Sequence, residues 1–339
     1  MDSEPIILGI ESSCDDTSAS ILKGRKVLSN VISNQEIHSL YGGVVPELAS
    51  RAHEQNIIPV VDAALRKACV NKNEISAVAY TNGPGLLGSL LVGSSFAKSF
   101  SLGLGIPIIT VNHMKGHILS HFIDEGNESP SFPFLCLTVS GGHTQIVHVE
   151  SPTIMNVIGT TLDDAAGEAF DKSAKLLGIA YPGGPLIDKY SKKGNIHAFT
   201  FGKPKVKNLD FSFSGLKTSI LYKIQNNTQK DPNFIKDNFN DLCASIQYSI
   251  VSILIEKIKI AINQTGINNL AIAGGVSANT YLREELKKLS NNNNNFKLYI
   301  PKFEYCTDNA AMIAIAGYFK YLDKDYANLN VTPSASLTF

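Results

Sequence analysis

Short apolar runs of strand length alternate along this chain with longer stretches that carry apolar residues at helical spacing. Residues 5–24, PIILGIESSCDDTSASILKG, place small and acidic residues between two apolar runs. This pattern predicts a β-hairpin with functional residues at its turn. Residues 132–150, FPFLCLTVSGGHTQIVHVE, repeat the theme. Because each half of the chain opens in this way, we expect two related lobes.

The remaining pattern predicts a mixed α/β protein. Helix formers fill residues 45–68, and residues 75–82 and 106–113 have the composition of strands. Apolar positions recur at helical spacing through 239–262, which predicts a long and largely buried helix. Residues 268–289 indicate a strand, a glycine-rich turn and a helix. The asparagine run at 291–295 is predicted to be a low-complexity surface loop without function.

Size and composition place the chain among globular proteins with ample core. Its 339 residues, 44% of them apolar, exceed the size at which a single core keeps growing. No apolar run approaches the roughly 18 residues of a membrane-spanning helix, and the acidic start lacks the basic end of a secretory signal. Five scattered cysteines without CxxC spacing indicate reduced thiols. We therefore expect a cytoplasmic protein with no membrane partner.

Net charge is zero, which argues against a protein that coats nucleic acid by its overall charge. Residues 188–223, however, contain eight lysines and only two acids. Such a segment is either a solvated lobe surface or a nucleic-acid contact. The sequence alone favours the solvated surface.

Four turns of small residues could carry chemistry. None of them is a P-loop, and none completes the GxGxxG fingerprint of dinucleotide-binding proteins. Backbone N–H groups in such turns can approach phosphate oxygens closely. Several turns, two of them heading the paired lobes, therefore predict a nucleotide held in a cleft between the lobes. The turns are ESSCDDTS (11–18), TVSGGHT (138–144), YPGGP (181–185) and AGGVSAN (273–279).

His113 and His117 stand four residues apart, a spacing that places both imidazoles on one helix face. The pair is either a solvated polar face or half of a metal site. A metalloprotease of the H-E-x-x-H type is excluded because Met114 occupies the position of the general base. Two imidazoles with a distant carboxylate suit Fe²⁺ or Zn²⁺. Asp308 is such a carboxylate, although at a predicted helix start it could equally be an N-cap.

Ten ordered motifs between about residues 6 and 320 resemble the TsaD family, the bacterial tRNA N6-adenosine threonylcarbamoyltransferases. So many motifs in one order make a chance match very improbable. The motifs are GIESSCDDT, YGGVVPELASRAH, NGPGLLGSLLVG, NHMKGH, VSGGHTQ, DDAAGEAFDK, YPGGP, DFSFSGLKT, AGGVSAN and CTDN.

The resemblance implies a two-lobed α/β fold of the actin, sugar-kinase and heat-shock ATPase class, with paired RNase H-like domains. We place one lobe at 1–112 plus about 309–339 and the other at 113–308. The implied reaction transfers the threonylcarbamoyl group from threonylcarbamoyl-AMP to N6 of adenosine 37 in tRNAs that read ANN codons, releasing AMP. Implied partners are tRNA, TsaB and TsaE, with a TsaC/Sua5-type enzyme making the adenylate.

The same resemblance assigns residues. His113, His117 and Asp308 become the ligands of one divalent metal, with Fe²⁺ as the first choice and Zn²⁺ as the second. Asp15, at the head of the first turn, is our candidate general base. The residues implied in substrate binding are Thr138, Val139, Ser140, Gly141, Gly142, Asp171, Gly184, Asp188 and Asn279.

Two departures and several alternatives remain at this point. The family commonly reads HHMEGH, where this chain has Asn112 and Lys115. Residues 37–68 could dock TsaB or simply pack on the first lobe. One competing function is an ATP-dependent kinase or ATPase of the same fold, and another is a docking scaffold. Neither of them requires the histidine pair with Asp308.

Overall fold

The chain folds into two compact units, described here from a computed structural model of residues 4–126, 128–291 and 296–339. The units divide the chain at positions that differ from the predicted boundaries, because residues 113–130, 150–155 and 301–308 belong to the first unit. As a result, all three predicted metal ligands lie in one unit. Unit 1 comprises Met1–Pro130, Glu150–Met155 and Pro301–Phe339, and unit 2 comprises Ser131–Val149 and Asn156–Ile300.

Unit 1 is built on a mixed five-stranded sheet. The predicted hairpin is present as β1 and β2, which pair antiparallel, and β3 extends it on the outer side. On the other side β4 and β5 run parallel to β1, giving the order β3-β2-β1-β4-β5. Its strands are β1 (Ile6–Glu11), β2 (Thr17–Lys23), β3 (Lys26–Ser33), β4 (Ala77–Gly83) and β5 (Ile108–Asn112).

Unit 2 contains a second five-stranded sheet with the same connectivity. Its hairpin strands β6 and β7 are antiparallel, β8 lies beyond β7, and β9 and β10 run parallel on the far side of β6. The prediction of two related halves is therefore confirmed at the level of topology. The strands are β6 (Phe134–Val139), β7 (Thr144–Val149), β8 (Met155–Thr160), β9 (Asn269–Ala273) and β10 (Lys297–Tyr299).

The α-helices of the described chain agree with the predicted helices at 45–68, 239–262 and after the turn at 273–279. Asn291, the first residue of the asparagine run that was predicted to be a loop, is the last residue of α9, and positions 292–295 lie outside the described residues. The helices are α1 (Pro46–Ala68), α2 (Leu87–Leu104), α3 (His113–Leu119), α4 (Ala166–Leu176), α5 (Gly183–Ser191), α6 (Ser214–Thr228), α7 (Phe234–Asp237), α8 (Phe239–Thr265), α9 (Thr280–Asn291) and α10 (Ala310–Leu322).

In unit 1, α10 packs unusually close to the sheet because small residues line the contact. A Cβ on Gly9 of β1 would lie 2.4 Å from the carbonyl oxygen of Ala310, and one on Gly317 of α10 would lie 2.3 Å from Ala79 Cβ. A third glycine, Gly116 of α3, faces α10, where a Cβ would come within 3.0 Å of Ile313. These glycines bring the starts of α3 and α10 together.

In unit 2, the long helix α8 forms the centre of the core. It buries Ile246, Ile250 and Leu254 completely, within a core cluster that also contains Phe211 and Phe213. A fully buried side chain of this kind contributes about 1.5–3 kcal/mol to stability. Burial on this scale explains why the helical periodicity of 239–262 is so clear in the sequence.

Among the described residues, no helix combines the length and the hydropathy that crossing a membrane requires. All five cysteines are free, as the sequence predicts.

Candidate metal centre and substrate-binding turns

Three side chains of unit 1 converge as the sequence resemblance predicts. The Nε2 atoms of His113 and His117 lie 3.3 and 3.2 Å from the same oxygen, Oδ1 of Asp308. The two rings are 4.8 Å apart between centroids and almost perpendicular. His117 is fully buried, His113 is buried, and Asp308 is partly exposed. This arrangement makes one side of the cluster accessible to a ligand.

The residues that cap α3 and α10 position the histidines and Asp308. Asn112, one of the two departures from the family pattern, is the N-cap of α3, and its Oδ1 accepts hydrogen bonds from the backbone N–H groups of Met114 and Lys115. At the start of α10 the cap is Asn309, whose Oδ1 accepts from Met312 N. Asp308 is therefore not the N-cap that its position suggested, and its carboxylate is directed to the histidines instead.

A buried carboxylate orients His113 from the other side of the ring. Glu11, at the end of β1, accepts a hydrogen bond from Thr81 Oγ1 at 2.6 Å, and its Oε2 lies 3.0 Å from His113 Nδ1. Ser13 Oγ is 3.1 Å from the same nitrogen. With Nδ1 engaged in this way, Nε2 is the atom of His113 that is presented to Asp308.

The electrostatics of the cluster follow from this pairing. Burial lowers the pKa of His113, but the carboxylates of Asp308 and Glu11 outweigh it and leave that pKa well above its usual value. Burial conversely raises the pKa of Asp308, and the two histidines overcome that effect, so its pKa lies well below the usual range. The pKa of Glu11 is lowered for the same reason, against its own burial. The cluster therefore favours cationic charge at its centre.

The donor set fits a single divalent cation. Two imidazole nitrogens and one carboxylate oxygen, all within 4.8 Å of one another, form the only histidine-containing cluster of this kind among the described residues. Both Nε2 atoms compete for one carboxylate oxygen, and the Nδ1 atom of His117 is buried without a hydrogen-bond partner. A cation at the centre would bind all three donors at once. Two histidines and a carboxylate with open positions are typical of Fe²⁺ and also suit Zn²⁺.

The turn between β1 and β2 carries the candidate base. Asp15 and Asp16 are both half-buried there. Burial, together with the charges of Asp15, Asp308 and Glu11, raises the pKa of Asp16 to about 7. His53 of α1 is fully buried and fixes the turn, with Nε2 3.0 Å from the Cys14 carbonyl and Nδ1 2.8 Å from Thr17 Oγ1.

In unit 2, the predicted loop 138–142 forms the end of β6 and the turn that follows. Thr138 and Val139 are buried strand residues, whereas Gly141 and Gly142 have open space where a side chain would begin. The turn is closed by a hydrogen bond from Ser140 N to the His143 carbonyl, 2.8 Å long. Open backbone at the carboxyl end of a strand is suited to binding a ligand oxygen.

Asp171 supports the turn that contains Gly184. Its Oδ1 accepts hydrogen bonds from the N–H groups of Gly183 at 2.8 Å and Gly184 at 3.1 Å, at the start of α5. Burial raises the pKa of Asp171, and these two hydrogen bonds oppose that effect without reversing it. One carboxylate oxygen of Asp171 is thus used by the protein itself. A Cβ added to Gly184 would come no closer than 3.7 Å to a neighbouring atom, so this glycine leaves free space beside it.

Asp188 and Asn279 are joined through the start of α9. Asp188 accepts hydrogen bonds from Thr280 Oγ1 and Thr280 N. Asn279 accepts from Leu282 N and donates to Gln247 of α8 at 2.7 Å. The structure therefore brings α5, α8 and α9 together around residues that the family resemblance assigns to substrate binding.

The acidic residues at 163–168, before and within α4, form hydrogen bonds with backbone and ion pairs with lysines. Asp163 accepts hydrogen bonds from the start of α6, at Phe213 N and Ser214 N. Asp164 pairs with Lys172 and Lys217, and Glu168 also pairs with Lys172. Of the acids in this segment, only Asp171 lies at a predicted binding turn.

Lys115, the second departure, lines a cavity of about 250 Å³ in unit 1 that none of the three metal ligands lines. Burial and the nearby Lys320 lower the pKa of Lys115. Lys320 in turn donates to the Thr110 carbonyl and pairs with Asp325.

Sequence reasoning missed Glu11, Thr81 and His53, which hold the metal ligand and the first turn in place. Their signal in the sequence is weak, since each is a single polar residue in an apolar element. The importance of Glu11 could have been predicted only from its position at the end of a strand that leads into the first turn.

Three similar proteins share the same name, which describes one enzymatic activity. The tRNA N6-adenosine threonylcarbamoyltransferase of Christiangramia forsetii is 60% identical over 334 residues, covering 98% of both chains. Those of Riemerella anatipestifer and Porphyromonas gingivalis are 57% and 55% identical, over 98% and 100% of this chain and 97% and 100% of theirs.

Solved structures support the fold. Full-length HypF in its phosphate- and nucleotide-bound form aligns with a TM-score of 0.62 at 16% identity, over 96% of this chain and 48% of HypF. Component A of (R)-2-hydroxyglutaryl-CoA dehydratase from Acidaminococcus fermentans aligns at 0.53 and 16% identity, over 94% and 99%. The predicted α/β fold class is thereby confirmed.

The family model described as tRNA N6-adenosine threonylcarbamoyltransferase matches residues 26–315. This range contains most strands of both sheets and all three residues of the histidine–aspartate cluster. The chain therefore belongs to the TsaD family.

Proposed function

We propose that this protein transfers the threonylcarbamoyl group from threonylcarbamoyl-AMP to N6 of adenosine 37 in tRNAs that read ANN codons, with release of AMP. The observation that carries the proposal is full-length similarity to a threonylcarbamoyltransferase, 60% identical over 98% of both chains. The convergent cluster of His113, His117 and Asp308 supports it from the structure.

The adenylate is held by the turns of unit 2. Backbone N–H groups of Gly141 and Gly142 offer hydrogen bonds to phosphate oxygens without adding charge. Gly184 leaves room for close approach, and Asp171 keeps its turn in shape. The remaining members of the proposed binding set are Thr138, Val139, Ser140, Asp188 and Asn279.

His113, His117 and Asp308 hold one divalent cation, for which we propose Fe²⁺ before Zn²⁺. When bound, such a cation supplies a Lewis acid that stabilises the negative charge of the mixed anhydride and of the departing phosphate. The chain's own part is to align His113, since Glu11 engages Nδ1 and leaves Nε2 directed at Asp308.

Transfer is an acyl substitution at the carbamoyl carbon. The N6 nitrogen forms the new C–N bond, the C–O bond to phosphate breaks, and AMP leaves with that electron pair. The proton lost from N6 passes to a carboxylate, for which Asp15 is our candidate general base. No covalent enzyme intermediate is needed.

The reaction implies several partners. We propose that TsaB and TsaE act with this chain, that a TsaC/Sua5-type enzyme supplies the adenylate, and that all act in the cytoplasm with tRNA. For TsaB we propose the outer face of α1 and the segment before it. Large apolar side chains are exposed there, among them Ile37, Leu40, Tyr41 and Ile58.

An ATP-dependent kinase or ATPase would be compatible with the fold alone. No contact among the described residues of either unit favours it over acyl transfer, and the relatives' names support the transferase.

The test is reconstitution. Purified chain is incubated with threonylcarbamoyl-AMP and unmodified tRNA, with and without TsaB and TsaE, and digested nucleosides are quantified by mass spectrometry. We expect modified adenosine and one AMP per transfer. Rapid ATP hydrolysis by the isolated chain without any nucleoside modification would support the kinase or ATPase instead.

A further inference from the structure

The lysine-rich segment of unit 2 contains an exposed stretch that we call the lysine strap, residues 202–208. It is anchored on both sides by buried core residues, Phe201 and Leu209. Between them the chain forms no helix or strand through residue 207, and exposed lysines alternate with half-buried Pro204 and Val206. Alternation of this kind is typical of extended chain, in which every second side chain lies on the same side, about 7 Å apart. The exposed members are Lys203, Lys205 and Lys207.

The backbone of the strap is fixed from inside the unit. Gly202 N donates to Ser219 Oγ of α6 at 2.9 Å. Farther along, Lys257 of α8 donates from Nζ to the carbonyl oxygens of Val206 at 3.0 Å and Asn208 at 2.6 Å. Lys257 is only 7% exposed. A buried ammonium group is costly unless its donors are satisfied, so these two carbonyls are held firmly in place.

The charges of the strap are not neutralised nearby. Asp210 accepts from Thr160 N at 3.0 Å, and Asp163 accepts from Phe213 N at 2.7 Å, so both neighbouring acids are committed to backbone. By contrast, Lys217 of α6 is paired with Asp164. In the described part of the chain, no carboxylate pairs with any of the three strap lysines.

We infer that the lysine strap is a contact surface for the phosphate backbone of tRNA, an inference that rests on the proposed function. A row of unpaired ammonium groups at regular spacing matches a polyanion whose charges also repeat regularly. Because the net charge of the chain is zero, attraction of a nucleic acid depends on local patches of this kind. Contacts to phosphates position the tRNA without reading its sequence.

The test replaces all three lysines by glutamine and measures tRNA affinity over a range of salt concentrations. Each lost phosphate contact reduces the slope of log K against log salt by about 0.7–0.9, so the triple variant should lose about 2–3 from the slope. Arginine at the three positions should preserve both slope and affinity. A charge-matched control replaces three other exposed lysines of unit 2, Lys230, Lys259 and Lys287, by glutamine.

Thermal unfolding and modification assays separate the outcomes. If the wild type binds and modifies tRNA while the triple glutamine variant, folded normally, keeps the wild-type slope, the strap inference is wrong and the proposed function stands. An equal loss in the control variant would also overturn it, as would loss of protein-partner binding with tRNA binding intact. If the triple variant is unstable, Lys205→Gln alone should reduce the slope by about 0.7–0.9. A wild-type chain that neither binds nor modifies tRNA in the full system would contradict the function itself.

Discussion

His113 is the residue on which the chemistry of unit 1 depends most, since both of its ring nitrogens are engaged. Nδ1 lies near Glu11 and Ser13, and Nε2 lies 3.3 Å from Asp308. His117 has only one such contact, because its Nδ1 atom is buried without a partner. Of the two histidines, His113 is therefore the one whose orientation is more firmly set.

Replacing His113 by alanine should remove the bound metal and abolish tRNA modification while leaving the fold largely intact. The physical reason is the loss of one of the three proposed metal ligands. Metal content by elemental mass spectrometry and nucleoside analysis test this. His197→Ala, at an exposed histidine of unit 2, is the control. Full modification by a metal-free His113→Ala protein would defeat the assignment.

Glu11→Ala should weaken metal affinity about 10- to 100-fold, because carboxylates behind a ligating histidine contribute on this scale. Glu11→Gln should weaken it less, since an amide oxygen can still accept from Nδ1–H. Chelator competition measures both values. Equal affinity in wild type and Glu11→Ala would show that Glu11 serves the fold alone.

Elements bring these residues together through close packing. The start of α10 can approach β1 only because Gly9 has no side chain, and Gly116 permits the close contact of α3 with Ile313 of α10. The glycine within HMKGH is therefore explained by the helix contact rather than by the metal. The interhelical distance in turn sets the distance from Asp308 to the histidines.

Gly9→Ala should lower the free energy of unfolding by about 1–3 kcal/mol, the usual cost of overpacking. It should also weaken metal binding, since the new Cβ would lie 2.4 Å from the Ala310 backbone oxygen, two residues from Asp308. Denaturant titration and chelator competition measure the two effects. Gly103→Ala in α2, where a Cβ meets open space, should change stability by at most about 1 kcal/mol. Unchanged metal affinity in a destabilised Gly9→Ala would break the proposed link.

Ile58→Glu on α1 should weaken association with TsaB without lowering stability. The side chain is 66% exposed, so a charge there costs little in the free chain but is unfavourable in an apolar interface. Isothermal titration calorimetry measures the association. Leu162→Glu, at a leucine of unit 2 that is 64% exposed, is the matched control. Equal affinities for all three proteins would place TsaB elsewhere.

On the scale of the whole molecule, the two units share one strand order but differ in the functional residues that they contain. Unit 1 contains the three proposed metal ligands, and unit 2 contains the proposed adenylate-binding turns and the lysine strap. Each unit has its own core, in which the buried side chains of α1 and α2 or of α8 cover a sheet. Shared topology with divergent turns is how one fold supports different tasks.

Because all three proposed ligands belong to unit 1, a bound metal should stabilise that unit alone. At a concentration 100-fold above its Kd, a bound metal adds about 2.7 kcal/mol to the free energy of unfolding. Calorimetry with anaerobic Fe²⁺, or with Zn²⁺, should shift the transition that involves unit 1. The shift should disappear in Asp308→Ala, and its persistence there would exclude Asp308 as a ligand.

The local pattern of apolar and polar residues predicts the position of several strands and helices. Strands β1, β2, β6 and β7 and helices α1 and α8 have the predicted positions, because alternation and helical periodicity reflect burial of one face. The histidine pair on one helix face also follows from spacing alone. The convergence of Asp308 with that pair was predicted only through resemblance to a family.

Contacts between distant parts of the chain were decided by the tertiary structure. Asp308 is separated from His117 by 191 positions, and Glu11 from His113 by 102, so no local pattern reports that they meet. Spacing could not tell whether Asp308 or Asn309 caps α10, nor could it reveal that Lys257 fixes the lysine strap from within. Sequence periodicity records which side of an element is buried, whereas the partner it is buried against depends on how the sheets and helices pack.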